Sequence, residues 1–327
     1  MSRIHEALKK AEQERAAQGG PAQPDYPPDY QPSYAATVAA ELPAIPPAEK
    51  PAEVGTRMPA NGGITSPAAM PSFGNPYSLD ALLARCVPQP WVPDEKTMLF
   101  FNEDDIARGS EEFRTLRSRL YHAREKMPLK KLLVTSALPK EGKSFTAANL
   151  AQVLVRQHGR RVLLIDADLR GPRLHMMLGT TSSPGLADYL QGGGDEFSIM
   201  QRGPMENLFF IPSGQEFSDP AELVANGRLK LLLQRVEALF DWIIVDSPPA
   251  VPVSDASMLA KACDGVLMVV RSNATPVDMA RRARQEFPDD MLVGVVLNGT
   301  SMDAMPYTRY YYDAYQKNTS ESKNPGK

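Results

Sequence analysis

From residue 131 to residue 298, short apolar runs alternate with segments in which apolar residues recur at helical spacing. A strand that is covered on both faces is apolar at consecutive positions, so runs of this length indicate buried strands. Helical segments lie between them, most clearly at 229–240 and 276–287. The pattern predicts an α/β fold whose mostly parallel sheet is flanked by helices on both faces. The apolar runs are 132–134, 162–165, 207–212, 242–245, 265–270 and 292–297.

The chain before this region has a different composition. Ile4, Leu8 and Ala11 make a narrow apolar stripe on a short charged helix, which is either a docking helix or a frayed terminus. More than half of the chain's 30 prolines then fall in a segment rich in Ala, Gln, Ser and Gly. Such a segment cannot bury enough surface to fold. The expected divisions are a short helix at 1–17, a disordered Pro/Ala-rich linker at 18–95, a folded domain at 96–305 and a flexible tail at 306–327.

The most informative motif is Gly142-Lys143-Ser144, which opens a helix after a buried strand and a polar turn. This is the arrangement of a phosphate-binding loop (P-loop), although Ala137 stands where the usual pattern has its first Gly. Amides at such a helix start point at phosphate, and the helix dipole favours its negative charge. Lys143 would neutralise the β- and γ-phosphates, and the Ser144 hydroxyl would ligate Mg²⁺. The loop residues expected at the nucleotide are Lys140, Glu141, Gly142, Lys143, Ser144 and Phe145.

Acidic residues follow two of the predicted strands. Asp166 and Asp168 come directly after the run 162–165, and Asp246 follows the run 242–245. Open parallel sheets bind their ligands at these strand ends. We therefore expect Ser144, Asp168 and Asp246 to hold Mg²⁺, directly or through water, and Asp166 to be the candidate base, although the sequence does not separate the roles of Asp166 and Asp168. The candidate catalytic residues are Lys143, Asp166, Asp168 and Asp246, and two further residues expected at the nucleotide are Arg170 and Asn298.

Two other segments have distinctive patterns. The helix predicted at 110–121, with Ser110 as its N-cap, places its apolar residues on one side. A second stripe on this helix is charged, and such a stripe is by itself most often a solvated face. The tail carries five closely spaced tyrosines, which form an edge strand, an aromatic interaction patch or, as an adjacent ATP site favours, a set of substrate hydroxyls. The stripe is Glu111, Arg114 and Arg117, and the tyrosines are Tyr307, Tyr310, Tyr311, Tyr312 and Tyr315.

Composition excludes several classes of protein. The formal net charge of −3 gives no sign of nucleic-acid binding. Cys86 and Cys263 lie far apart and suggest neither a disulfide framework nor a metal site, so a reducing cytoplasm is the default compartment. No apolar run approaches the roughly twenty residues of a membrane-spanning helix, and the polar N-terminus is unlike a secretory signal. A role at a membrane would therefore require a partner that recruits the chain.

Together, these motifs resemble the bacterial tyrosine kinases (BY-kinases), and most of all the autokinases encoded in exopolysaccharide loci. The resemblance covers roughly residue 105 to the end, and the N-terminal sequence Met1-Ser-Arg-Ile-His-Glu-Ala-Leu-Lys-Lys-Ala-Glu is similar as well. It implies a P-loop fold related to the MinD/ParA group of ATPases, with ATP and Mg²⁺ as cofactors. The motifs are Ser136-Ala-Leu-Pro-Lys-Glu-Gly-Lys-Ser, Leu163-Leu-Ile-Asp-Ala-Asp-Leu-Arg-Gly-Pro-Arg-Leu-His, Ile243-Ile-Val-Asp-Ser-Pro-Pro and the tyrosine-rich C-terminus.

The resemblance further implies a protein-tyrosine kinase that phosphorylates its tail in trans and regulates exopolysaccharide polymerisation and export. Glu111-x-x-Arg114-x-x-Arg117 matches the motif that assembles these kinases into rings, and phosphotyrosine charge would favour ring opening. Two features depart from the family: Lys140 stands where Gly is common, and the membrane-spanning portion is missing. The implied partners are other copies of the chain, a phosphotyrosine phosphatase, and a separate Wzz-like membrane chain-length determinant that activates the kinase at the inner face of the plasma membrane.

Two alternative functions stay open. A MinD/ParA-like ATPase switch would share the fold, but those proteins carry a signature lysine where this chain has Leu138. A non-catalytic scaffold of the export machinery, gated by nucleotide, would not need the complete set of acidic residues. Fold alone does not decide between them.

Overall fold

The computed structural model describes residues 77–101 and 109–300. Within them, helices and strands alternate as the apolar pattern predicted. The helices are α1 (Leu79–Arg85), α2 (Ser110–Arg124), α3 (Lys143–Val155), α4 (Leu174–Leu178), α5 (Leu186–Leu190), α6 (Pro220–Ala225), α7 (Arg228–Val236), α8 (Asp255–Ala260) and α9 (Val277–Gln285), with a 3-10 turn at Glu237–Leu239. The strands are β1 (Val87–Pro88), β2 (Lys131–Ser136), β3 (Val162–Asp166), β4 (Gln201–Arg202), β5 (Leu208–Ile211), β6 (Trp242–Asp246), β7 (Gly265–Arg271) and β8 (Leu292–Asn298).

The strands form one sheet in the order β1-β4-β5-β3-β6-β2-β7-β8. Neighbouring strands are parallel except for β4 and β5, which are antiparallel. The prediction of a mostly parallel sheet is therefore confirmed. Asp166 at the end of β3 is in register with Asp246 at the end of β6, and Asp246 is in register with Val134 of β2. The carboxyl ends of β3, β6 and β2 thus lie side by side, so the acidic residues are next to the strand that precedes the P-loop.

Both faces of the sheet are covered by helices. Consecutive residues of β2 alternate between two hydrophobic clusters, with Leu133 in one and Leu132 and Val134 in the other. The cluster around Leu133 receives apolar residues from α1 and from α5 to α9, whereas the other receives those of α2, α3 and α4. Burial on both faces explains why the strands are apolar at consecutive positions.

The helix starts agree only partly with the predicted caps. Asp219 caps α6 by accepting a hydrogen bond from the Glu222 amide at 3.4 Å, with Pro220 in the first turn, as expected. Ser110 was predicted to cap α2, and this is wrong. Ser110 is buried and is the first residue of the helix, and Gly109, with φ of 100°, occupies the N-cap position.

The structure also differs from the predicted linker at its C-terminal end. Residues 77–95 were assigned to a disordered segment, yet they contain α1 and β1, and Leu82 and Trp91 are buried in the core. Strand β1 pairs with β4 at the outer edge of the sheet, where Pro88 is tolerated because an edge strand needs donors on one side only. Proline content is therefore a poor guide to order in this stretch.

The remaining divisions stay predictions. The N-terminal helix at 1–17, most of the linker, and the tail at 306–327 with its five tyrosines lie outside the described residues. Among the helices of the described ranges, none combines the length and apolar character needed to cross a bilayer.

Candidate active site

The loop between β2 and α3 has the backbone shape of a phosphate-binding turn. Gly142 is the N-cap of α3 and has φ of 95°. A Cβ at this position would lie 2.0 Å from Nδ2 of Asn298, so the site requires glycine both for its backbone conformation and for space. The helix that follows presents its first amides at the loop, which is the part of a helix that binds anions.

Lys140 is the residue at which the chain departs from the family pattern, and it too has a left-handed backbone, with φ of 66°. A non-glycine residue costs roughly 1–2 kcal/mol in this conformation. The loop therefore keeps a glycine-like shape at Lys140, and its neighbours must hold it there.

The ammonium group of Lys143 lies inside the site. Its Nζ is 2.6 Å from Oδ2 of Asp168 and 3.4 Å from the Ser144 hydroxyl, and all three side chains are buried. The other oxygen of Asp168 accepts the Gly171 amide at 3.1 Å. Burial alone would lower the pKa of Lys143, but the carboxylates of Asp246, Asp168 and Asp166 raise it. Lys143 is consequently a fixed positive charge beside the P-loop.

Two further carboxylates lie beside this pair with little hydrogen bonding. Asp166 and Asp246 are completely buried. Oδ2 of Asp166 accepts the Leu174 amide at 3.1 Å, whereas its Oδ1 and both carboxylate oxygens of Asp246 have no partner at hydrogen-bonding geometry within residues 77–101 and 109–300. Buried carboxylate oxygens without donors are costly, and a bound cation would satisfy them. The donor set therefore fits a hard divalent cation.

The described residues form no ready group of three or more His, Cys, Asp or Glu metal ligands. Mg²⁺ commonly takes one or two carboxylates and completes its octahedron with water and phosphate oxygens. Ser144, Asp168 and Asp246 stay the predicted ligands of such an ion.

Burial also changes the protonation of these groups. It raises the pKa of Asp246 to about 6, against the opposing influence of Lys143 and of contact with the Ser144 hydroxyl. Burial and the nearby charge of Asp246 raise the pKa of Asp166 well above its ordinary value. A carboxylate with a raised pKa is a better proton acceptor at neutral pH.

Two of the predicted nucleotide residues are engaged elsewhere. Arg170 makes a bidentate ion pair with Asp255 of α8, at 2.7 and 3.1 Å, and does not point into the P-loop. The ring of the half-buried Phe145 packs edge-on against Phe113 of α2, with centroids 5.8 Å apart. Contact of either side chain with nucleotide remains a prediction.

Asn298 and Glu141 are placed at the loop, together with two residues that the sequence did not single out. Nδ2 of Asn298 donates to the backbone oxygen of Glu141 at 2.9 Å. The buried Glu141 carboxylate accepts from the Thr275 hydroxyl, and Arg271 donates to the backbone oxygen of Lys140 at 3.0 Å. Thr275 and Arg271 belong to no recognisable motif, since only the sheet order brings the end of β7 beside β2.

The charged stripe on α2 is only partly available for assembly. Glu111 forms an ion pair with Arg114 on the same helix. Arg117 instead donates to the backbone oxygen of Val153 near the end of α3, at 2.9 Å. The proposed role of this stripe in ring formation therefore rests on Glu111 and Arg114 more than on Arg117.

A Gly-Lys-Ser loop between strand and helix, with acidic residues at neighbouring strand ends, defines a nucleotide-binding protein of the P-loop class. Comparison with known proteins narrows the class. A family model described as an AAA domain matches residues 140–278. Tyrosine-protein kinase YwqD of Bacillus subtilis is 35% identical over 205 residues, which are 62% of this chain and 86% of YwqD.

Two further proteins similar to this chain are also named as tyrosine kinases. Tyrosine-protein kinase wzc of Salmonella typhimurium is 33% identical over 217 residues, 66% of this chain but only 30% of wzc. The kinase domain of Escherichia coli tyrosine kinase ETK is 31% identical with a TM-score of 0.54, covering 58% of this chain and 75% of that one. The chain therefore belongs to the bacterial tyrosine kinases, and the resemblance seen in its motifs is confirmed.

Proposed function

We propose that this chain uses Mg-ATP to phosphorylate the tyrosine cluster of its own C-terminal tail, in trans between subunits of a ring. One observation carries the proposal: the Lys143–Asp168 pair lies beside the incompletely bonded carboxylates of Asp166 and Asp246, where β2, β3 and β6 end. Phosphoryl transfer depends on fixed charge and positioning more than on covalent chemistry, and this site supplies both.

The residues would divide the work as follows. Lys143 and the amides of the P-loop would bind the phosphates, which requires Lys143 to exchange its contact with Asp168 for one with a phosphate oxygen. Asp166, our candidate base, would accept the proton of the tyrosine hydroxyl. At the same time the tyrosine oxygen would bond to the γ-phosphorus, and the bond between that phosphorus and ADP would break. Mg²⁺, held by Ser144, Asp168 and Asp246, would neutralise charge on the phosphate oxygens.

The cellular setting is also part of the proposal. The family resemblance implies a role in regulating exopolysaccharide polymerisation and export, and the relatives named as tyrosine-protein kinases wzc and YwqD support the kinase activity. A separate Wzz-like membrane protein would activate the kinase and hold it at the inner face of the plasma membrane, and a phosphotyrosine phosphatase would reset the tail. These partners come from the family resemblance.

The decisive experiment is phosphotyrosine mass spectrometry on the purified full chain after incubation with Mg-ATP, with and without the cytoplasmic segment of the membrane partner. Wild type is compared with Lys143→Met and with Lys230→Met, a control that removes an exposed lysine on α7. We expect phosphate on Tyr307 to Tyr315 in wild type and Lys230→Met only. ATP hydrolysis with an unmodified tail, even with the partner segment, would reject the kinase and support the ATPase switch.

Transfer between subunits needs its own test. Lys143→Met with an intact tail is mixed with an active copy in which the five tail tyrosines are replaced by Phe. Phosphate on the inactive copy is expected, because its tail can be modified only by its neighbour. An unmodified inactive copy, beside a wild-type sample that phosphorylates itself, would show transfer within one subunit.

A further inference from the structure

Thr275 lies between β7 and α9, far from the P-loop in sequence, and yet contacts it directly. Its hydroxyl donates to Oε1 of Glu141 and accepts the Arg271 amide at 2.9 Å. Oε2 of Glu141 accepts the Leu138 amide at 2.9 Å. Glu141 is only 3% exposed. Its side chain therefore joins the start of the P-loop to the β7–α9 turn.

Two other hydrogen bonds reach the loop backbone from the same side. Arg271 donates from Nη1 to the oxygen of Lys140 at 3.0 Å, and Asn298 donates from Nδ2 to the oxygen of Glu141 at 2.9 Å. These contacts surround the segment in which Lys140 and Gly142 both have positive φ. A strained backbone of this kind persists only where its surroundings determine its conformation.

We propose that Thr275 and Arg271 are positioning residues for the P-loop, Thr275 acting through Glu141 and Arg271 through the backbone of Lys140. They hold the loop in the shape that directs its amides at phosphate before nucleotide arrives. Because the loop is ordered in advance, nucleotide binding does not have to supply the free energy of ordering it. The inference rests on the proposed function only in requiring that this site binds nucleotide phosphate.

The test measures the affinity of the full-length chain for Mg-ADP by titration calorimetry. Thr275→Val removes the hydroxyl and keeps the shape, whereas Thr275→Ser keeps the hydroxyl. Loss of a hydrogen bond to a buried carboxylate weakens binding about tenfold if the loop relaxes, so we expect that loss in Thr275→Val and less than about twofold in Thr275→Ser. Equal affinity in Thr275→Val and wild type would overturn the role of Thr275.

A double variant tests whether Thr275 acts on the P-loop through the Glu141 carboxylate. If Thr275 acts through Glu141, Thr275→Val should add less than about twofold to the loss caused by Glu141→Ala alone, because Glu141→Ala removes the oxygen that accepts the Thr275 hydroxyl. A full tenfold additional loss would show that Thr275 acts independently of the carboxylate and would reject the mechanism. Thermal unfolding of each variant without nucleotide verifies that the protein remains folded.

Arg271 provides a second test that is independent of Thr275, and it is an exposed residue. We expect Arg271→Ala to weaken Mg-ADP binding several-fold, whereas Arg281→Ala, an exposed arginine of α9, leaves it unchanged. Unchanged affinity in Arg271→Ala would overturn its role. Since only binding is measured, a chain that binds Mg-ADP but does not phosphorylate its tail would reject the proposed kinase function and leave this inference intact.

Discussion

The buried carboxylate of Asp246 destabilises the metal-free fold, and the same carboxylate is a predicted ligand of the cation. It is completely buried, and neither carboxylate oxygen has a partner at hydrogen-bonding geometry in the part of the chain that the structure describes. Burial raises its pKa to about 6, compared with 3.8 for an exposed aspartate. A group with this property destabilises the metal-free fold when it is ionised and becomes favourable when a cation binds.

The pH dependence follows from the direction of the shift. Below about pH 4, Asp246 is protonated in both the folded and the unfolded chain, and it makes no difference to stability. Between about pH 4 and 6 the folded state holds a proton that the unfolded state has lost, so stability falls as pH rises. Above about pH 6 the cost is fully present, and a shift of about two units corresponds to at most about 3 kcal/mol.

We therefore expect Asp246→Asn to raise the thermal midpoint of the metal-free protein by several degrees at pH 7.5 and to have little effect near pH 4.5. Differential scanning calorimetry in EDTA across this range measures the difference. Asp241→Asn is the control with opposite sign, because burial raises the Asp241 pKa but the Arg161 amide and Arg160 lower it overall. A lower midpoint in Asp246→Asn at pH 7.5 would contradict the prediction.

A second prediction for a single residue is that nucleotide binding requires glycine at position 142. In Gly142→Ala the new Cβ would meet Nδ2 of Asn298 at 2.0 Å, in a backbone with φ of 95°. Relief of the clash must move Asn298 or the loop, and either movement disturbs the phosphate-binding amides. We expect Mg-ADP affinity to fall more than about tenfold, in keeping with a displaced anion site.

The matched control is Gly159→Ala, since Gly159 also has positive φ, 71°, but a Cβ there would have no neighbour within 4 Å. It carries the backbone strain without the clash and lies outside the loop. Both variants are compared by calorimetric titration with Mg-ADP and by thermal unfolding. Equal affinity losses in the two variants would show that general destabilisation, and not a local change at the phosphate-binding loop, is responsible.

At the scale of elements, α1 and β1 extend the fold beyond the region predicted from periodicity. Trp91, which follows β1, is 5% exposed, and its ring meets that of Phe210 edge-on at 6.2 Å. A Cβ on Gly203 would lie 2.1 Å from the Trp91 ring, so this glycine makes room for it. The segment is thus packed into the core as well as paired with β4.

Trp91→Ala should therefore lower the free energy of unfolding by about 3–5 kcal/mol, as large-to-small core changes of this type do. Val92→Ala is the control, because Val92 is 76% exposed and should change stability by less than about 0.5 kcal/mol. Urea denaturation followed by circular dichroism measures both. A loss below about 1 kcal/mol in Trp91→Ala would show that residues 77–95 are not part of the folded core and would support the original linker prediction.

At the scale of the whole molecule, the proposed ring would depend on how the charged residues of α2 divide their contacts between the fold and a neighbouring copy. Glu111 and Arg114 pair with each other on a face where their side chains are 65% and 30% exposed. A pair of this kind contributes only about 0–1 kcal/mol to folding. Arg117 also supports the fold through Val153, so its substitution would confuse assembly with stability.

The Glu111→Ala/Arg114→Ala double variant is therefore the sharper test of ring formation. We expect it to shift the mass in light scattering from an oligomer to smaller species, while its thermal midpoint changes by no more than about 3 °C. Glu112→Ala/Arg119→Ala, which removes exposed residues of the same helix outside the motif, should assemble normally. Unchanged mass in the Glu111/Arg114 variant would remove this stripe from the proposed interface.

Much of the fold was predictable because its signals are local. Strands inside the sheet are consecutive apolar runs because both their faces are covered, and the half-buried edge strand β8 is an apolar run as well, so β2, β3, β5, β6, β7 and β8 were found. Gly142, Lys143 and Ser144 were found because the P-loop motif is contiguous. The short strands β1 and β4 were not, since two residues carry no periodicity and their pairing depends on distant partners.

The sequence by itself determined the order of the longer strands, the P-loop and the acidic strand ends, because each of these signals lies in neighbouring residues. Tertiary structure alone decided which of these side chains meet. It turned Arg170 toward Asp255, packed the Phe145 ring against Phe113, and brought Thr275 and Asn298 against Glu141. Those contacts join residues far apart in the chain, and they arise from sheet order and packing, which no local pattern records.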